Sequence, residues 1–219
     1  MTRQPLTLHL CPNAAHAEAA QTLLSRVAAR FELATKQVVD LPAGTHPLFS
    51  LGDSVLVNTR SPVSPAALET LIPDWQLEAA LVRALQHHGL LFLCVANSAR
   101  SQLAEGIARA LATPPVQVWS AGSRPTQVRP EAIMVLAELG IDISTQRSKS
   151  VTEIAADAVD TVITLCGEEE CPVFLGSATR LHWGLEDPAA IEADGEARLQ
   201  AFRRTRDELL KRLRFMLAA

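Results

Sequence analysis

The segment Leu90-Leu-Phe-Leu-Cys94-Val-Ala-Asn97-Ser98-Ala-Arg100-Ser101 places a nucleophile beside an anion-binding side chain. An apolar strand that runs through a short loop into a helix directs successive backbone N–H groups into one concavity. The positive end of the helix dipole points the same way, which suits a tetrahedral oxyanion. Val95, Ala96, Asn97, Ser98 and Ala99 form that loop, Arg100 adds a planar fork of donors, and Ser101 is expected at the N-cap. The same field favours the thiolate of Cys94, making it a nucleophile at neutral pH. A cradle and an activated sulfur together imply in-line attack on a phosphate-like centre. The plain alternative is a buried cysteine at a strand end.

The other cysteines are Cys11, Cys166 and Cys171. Four scattered cysteines are too few for a disulfide framework in a chain this long, which leaves catalysis, metal binding or inert packing. Zinc on Cys166, Cys171 and His182 is disfavoured by the wide gap and by the charge of Glu168, Glu169 and Glu170, so no metal is expected. His87 and His88 read as solvated linker residues, and His9 and His46 have no clustered partners in sequence. Asp187-Pro188 reads as a turn whose carboxylate can reach a neighbouring cleft as a general acid. Gly-rich nucleotide motifs are missing.

The elements that must hold these residues fall into two halves. In the first, residues 6–10 read as a strand ended by Cys11-Pro12. A helix follows, with Ala20, Leu23, Leu24, Val27, Ala28 and Phe31 on one face. Residues 38–39 and 55–57 suggest further strands, and a proline-rich stretch at 61–65 leads into helical sequence up to about Leu85. The break at Gln86-His87-His88-Gly89 sets the expected domains at 1–88 and 89–219. In the second half, strands at 90–95, 116–121, 161–166 and 179–183 alternate with helices at 101–111 and 130–139, the latter closed by Gly140. Residues 154–158 are expected helical. So are 195–217, burying Leu199, Phe202, Leu209, Leu213 and Leu217 and presenting Arg203, Arg204, Arg206, Lys211, Arg212 and Arg214 on a solvated face. Such alternation implies an α/β fold, a three-layer α/β/α arrangement with a mainly parallel sheet.

Composition agrees. The 219 residues are 48% hydrophobic and 20% charged, which excludes a disordered chain. The net charge is −4, and neither half carries a basic excess that would bind nucleic acid by charge alone. No apolar run is long enough for a membrane span, and the N-terminus lacks a signal-peptide core, so the expected location is cytoplasmic.

The Cys94-x5-Arg100-Ser101 run resembles the signature of the low-molecular-weight protein tyrosine phosphatases and of the arsenate reductases built on that fold. Ser120-Ala-Gly-Ser-Arg124 after the next strand, Gly140-Ile-Asp-Ile-Ser144 before Lys149, and the late Asp187-Pro188 extend the likeness over residues 89–219. The resemblance implies that Asn97 and Ser98 shape the loop and Ser101 hydrogen-bonds the Cys94 thiolate. Arg100 would grip the oxyanion, and Asp187 would protonate a leaving oxygen. Ala99 stands where the phosphatase branch usually carries a second cysteine, and tyrosine, common at the phosphatase rim, is absent; Trp183 reads as core rather than rim. Cys166 and Cys171 have the places that the reductase branch gives its relay, although their spacing is shorter than in its best-known thioredoxin-coupled members. The expected function is therefore arsenate reduction by a cascade from Cys94 to Cys166 to Cys171. It needs no bound cofactor, only an external reductant, thioredoxin or glutathione with glutaredoxin. The alternatives are a phosphatase acting on aryl phosphates and a non-enzymatic oxyanion or redox sensor.

Residues 5–87 look like a small thioredoxin-like domain. Ala14 stands where the second cysteine of a Cys-x-x-Cys pair would be, so Cys11 is at most an accessory monothiol. The preferred role for this half is docking a reductant or forming a homodimer. Cys11→Ser should then leave steady-state arsenate reduction within about threefold of the parent at saturating reductant. A collapse in turnover, or a trapped Cys11–Cys171 mixed disulfide, would show a built-in redox partner instead.

Overall fold

The computed structural model describes residues 4–10, 17–41, 47–58, 73–167, 172–191 and 195–217. Cys11, Cys171, His46, the proline-rich stretch at 61–65 and the acidic run at 168–170 lie outside them. The chain divides into two units, 1–86 and 87–219. No described helix is long and apolar enough to cross a membrane.

Among the described residues the first unit is a mixed four-stranded sheet, order β2-β1-β3-β4, with two helices. Strand β1 (Leu6–Leu10) pairs parallel with β2 (Thr35–Val39) and antiparallel with β3 (Leu48–Leu51), which turns back into β4 (Ser54–Asn58). Helix α1 (Ala17–Arg30) buries the expected stripe from Ala20 to Ala28, and Phe31 continues it beyond the helix end. Helix α2 (Asp74–Ala84) packs on β4 and touches α1. Arg26 and Arg30 of α1 join that contact by pairing with Asp74 at 2.6 and 3.1 Å.

Two expectations fail here. Strand β3 has no counterpart in the sequence reading, because its four residues between Pro47 and Gly52 are too few to show a period. His9 is not isolated: Nδ1 lies 2.8 Å from Asp40 Oδ2 and Nε2 lies 2.9 Å from Ser50 Oγ. These contacts join β1 to β3 and to the residue that follows β2, and they depend on the sheet register. Ser50 is only 4% exposed, so the array ties strands together rather than facing a substrate.

The second unit is a wholly parallel sheet, order β6-β5-β7-β8. These strands are β5 (Gly89–Cys94), β6 (Gln117–Gly122), β7 (Thr161–Thr164) and β8 (Thr179–His182). Every residue of β5 is buried, as a central parallel strand requires. On one face lies α3 (Arg100–Leu111), flanked by α4 (Pro130–Ala137) and α5 (Glu196–Leu217). On the other, Leu91, Leu93, Ala121 and Val162 pack against Val159 and Phe174. Each such large side chain contributes about 1.5–3 kcal/mol when fully buried. Instead of one helix over 154–158, two 3₁₀ turns (Val151–Glu153 and Ala156–Ala158) flank an extended Ile154. Ser150 and Glu153 close a capping box on the first. Gly140, at φ +73, ends the turn after α4.

On α5, Phe202, Leu209 and Leu213 are buried as expected, but Leu199 and Leu217 are only half-buried, and Ala201 and Met216 take the remaining places. The basic cluster is not wholly solvated either. Arg206 is 8% exposed, donates to Val135 O at 2.9 Å and pairs with Glu138 at 2.6 Å, while Arg203 reaches the same carboxylate at 2.7 Å. Hydrogen bonds from Arg203 and then Arg206 hold the Glu138 carboxyl down to about 2. A carboxylate lowered in the folded state stabilises it fully above its ordinary range, and the contribution is lost as pH falls toward the folded value. Glu138→Gln should therefore melt below the parent at about pH 7, with the difference closing as pH falls from about 4.5 to about 2. A difference independent of pH would show that the ion pairs are not its source.

Candidate active site

In the order β6-β5-β7-β8 the first strand of the unit lies centrally, with successors on both sides. The crevice beyond its carboxyl end is the switch point where open α/β sheets bind ligands. Cys94 ends β5 at this point and is 2% exposed. The loop that follows turns on Asn97, which sits at φ +45, in the left-handed region. Asparagine tolerates that region better than other non-glycine residues. Its carbonyl oxygen Oδ1 accepts from Lys149 N at 2.7 Å and from Gln102 Nε2 at 3.0 Å. Its amide Nδ2 donates to Ser101 Oγ and Ser120 Oγ, both at 2.8 Å. Both donors and both acceptor sites of one buried side chain are thereby used.

Helix α3 starts at Arg100 after Ala99, which makes no side-chain cap, so Ser101 is not the N-cap. Its hydroxyl lies 2.9 Å from Cys94 Sγ instead. Because Asn97 already donates to Ser101 Oγ, the serine hydrogen is available to the sulfur, the direction that stabilises a thiolate. The first turn receives no side-chain cap, and Ala99 and Arg100 at that helix start line the cavity.

A second tier supports this contact. Ser120 donates to Glu105 in a short hydrogen bond. The Glu105 side chain is 1% exposed and pairs with Lys149 at 3.1 Å and Arg109 at 2.7 Å. Gly122, at the end of β6, lets that strand approach the loop, since a Cβ there would lie 2.4 Å from Val95 O. Beyond it, Arg124 N donates to Val95 O, Thr126 N to Ala96 O and Arg129 N to Ser98 O, binding the two loops side by side.

Arg100 is 3% exposed. Its Nη1 donates to Leu185 O at 3.1 Å, and Nη2 lies 3.3 Å from Asp187 Oδ2. Asp187 caps the 3₁₀ turn Pro188–Ala190 by accepting from Ala189 N through Oδ1, which leaves Oδ2 toward the guanidinium. Cys94, Val95, Ala96, Ser98, Ala99, Arg100, Arg124 and Asp187 line one cavity of about 230 Å³. A larger one, about 390 Å³, opens at the start of β6 between Pro114 and Trp119; its described lining residues include no nucleophile.

Cys166, fully buried two residues beyond β7, emerges at the same end of the sheet. It is disulfide-bonded, whereas Cys94 is a free thiol, so the bond does not join these two. His182 Nδ1 lies 2.8 Å from Thr164 Oγ1. His87, expected solvated, is half-buried with Nδ1 2.8 Å from Thr161 Oγ1. Trp183 is core, 1% exposed, beneath the Arg212 guanidinium. Sequence reasoning missed Gln102, Glu105, Arg109 and Arg124 as members of the site. One signal was present: Asn97, Ser101, Glu105 and Arg109 recur every four residues, the spacing of one helical stripe.

Comparison with known proteins matches residues 89–219 to the family described as low molecular weight phosphotyrosine protein phosphatase. An arsenate reductase of Halalkalibacterium halodurans is 40% identical over 127 residues, covering 57% of this chain and 91% of that protein. The Bacillus subtilis arsenate reductase is 39% identical over the same coverage. Among solved structures, an arsenate reductase in the phosphate binding state aligns with TM-score 0.52 at 35% identity, over 60% of this chain and 97% of that one. The Archaeoglobus fulgidus arsenate reductase aligns with TM-score 0.51 at 27% identity, over 59% and 99%.

The Ser101–Cys94 contact has a direct test. Removing one hydrogen bond to a charged group costs about 1.5–3 kcal/mol, so Ser101→Ala should slow iodoacetamide labelling of Cys94 at about pH 7 by roughly tenfold or more. Phosphate should protect the parent. Labelling untouched by saturating phosphate would remove the case for a preorganised oxyanion loop.

Proposed function

We infer, for a chain that belongs to the low molecular weight phosphotyrosine protein phosphatase family, that it reduces arsenate to arsenite in arsenic detoxification. The observation that carries this reading is a free Cys94 in an oxyanion cavity, with a disulfide-bonded Cys166 beyond β7 at the same end of the sheet. Hydrolysis of a phosphate ester needs no second thiol, because water completes the turnover. Reduction of arsenic(V) takes two electrons, and thiols supply them.

The Cys94 thiolate attacks arsenic in line, with the arsenate oxygens held by Arg100 and the N–H groups of residues 95–101. One oxygen leaves as water, with Asp187 supplying a proton, and Cys94 carries an S–As bond. A Cys166 thiolate then attacks Cys94 Sγ. The S–As electron pair passes to arsenic, arsenite leaves, and a Cys94–Cys166 disulfide remains. Attack by the Cys171 thiolate on Cys166 frees Cys94 and leaves a Cys166–Cys171 disulfide, which an external dithiol reduces. Thioredoxin, or glutathione with glutaredoxin, is the class of donor required.

Cys166→Ala separates the chemistry of binding from that of reduction. Arsenite release should fall to background, while Cys94 still labels with iodoacetamide and is still protected by phosphate. Arsenate turnover surviving this substitution would overturn the relay.

A further inference from the structure

The cavity at Cys94 gathers a nucleophile and a carboxyl group around one buried cation, Arg100. Cys94 and Asp187 share that cavity with the Arg100 guanidinium, which already holds the carbonyl oxygen of Leu185 and a carboxylate oxygen of Asp187. A doubly charged oxyanion entering there meets repulsion that Arg100 alone does not offset. Among the described residues, the remaining charged side chain on the cavity wall is Arg124, which neither the nucleophile motif nor the acid requires. Its side chain is exposed, but its backbone is fixed: Arg124 N donates to Val95 O at 3.0 Å, and Gly122 brings the same strand end against the loop. The root of the guanidinium is therefore fixed beside the oxyanion cradle while its head stands in solvent at the rim.

We propose that Arg124 is a substrate-binding residue that selects doubly over singly charged tetrahedral oxyanions. This rests on the reading of the cavity as an oxyanion site. Arg124 adds one positive charge whichever protonation state Asp187 holds, so its effect scales with the charge of the ligand. It also adds fork donors at an exposed position of a cavity whose other cation, Arg100, is buried. An initial encounter at an exposed arginine and transfer onto buried donors is a sequence that a single buried cation does not provide.

The test measures anion protection of Cys94 against iodoacetamide, so it needs no turnover. Phosphate, mostly doubly charged above neutral pH, is compared with perchlorate, which is singly charged. Arg124→Gln should weaken phosphate protection by about tenfold, the loss expected for one charge-assisted contact, and perchlorate protection by less than about threefold. Arg124→Lys should recover part of the phosphate loss, since it restores charge without the fork. With arsenate as substrate, the KM of Arg124→Gln should rise while kcat stays near the parent. An equal loss for both anions, or no loss for phosphate, would overturn the proposal. A parent protein that shows the anion contrast but produces no arsenite would sink the reductase reading and leave this one standing.

Discussion

The site depends on the left-handed turn at Asn97. A residue at φ +45 must be held there by its surroundings, and this one is held by four side-chain hydrogen bonds from three directions. Those bonds fix the direction of the loop and hence where its N–H groups point. They also set the orientation of Ser101, whose hydroxyl is directed to Cys94 because its lone pair is engaged by Asn97. A single side chain thus connects the shape of the anion cradle to the charge state that its nucleophile must reach.

That turn can exist only where several chain segments converge. The β6-β5-β7-β8 order carries the ends of β6 and β7 to either side of Cys94. From the β6 side come Ser120, the close approach at Gly122, and the backbone donors of 124, 126 and 129. Beyond β7 come Leu165 and Cys166, with Leu185 and Asp187 following β8. Glu105 and Lys149 close the arrangement from behind as a buried ion pair. Such a pair gains little net stability but makes the loss of either partner costly. This tier therefore secures geometry more than it adds stability.

The helix layer holds this convergence in place. Helix α3 carries Arg100 and Ser101 on its first turn and lies between the sheet and α5. Arg203 and Arg206 join α5 to the end of α4 through Glu138. The first unit uses its own version of the same device, with Arg26 and Arg30 of α1 meeting Asp74 at the start of α2. In each unit, polar pairs at helix ends set the orientation of elements whose burial is otherwise non-directional.

By itself the sequence determined what is local in the chain. An apolar β5 running into a loop with Cys94 and Arg100, the apolar stripe of α1, and the strand and helix alternation of the second half all follow from period and residue type. So does a carboxylate at Asp187 in a turn. Only the tertiary structure decided what those groups touch. Ser101 was legible as an N-cap from position alone, but its hydroxyl turns to the sulfur because Asn97, fixed by Lys149 and Gln102, presents an amide to it. Glu105 drew no reading from sequence, yet it is buried against a serine and a lysine from two other segments. His9 found Asp40 and Ser50, and Arg206 found Glu138, across separations that no spacing rule covers. The reason is common to all of them. Periodicity reports which face of an element is apolar, whereas a polar partner is assigned by strand register and helix packing, which exist only once the chain has folded.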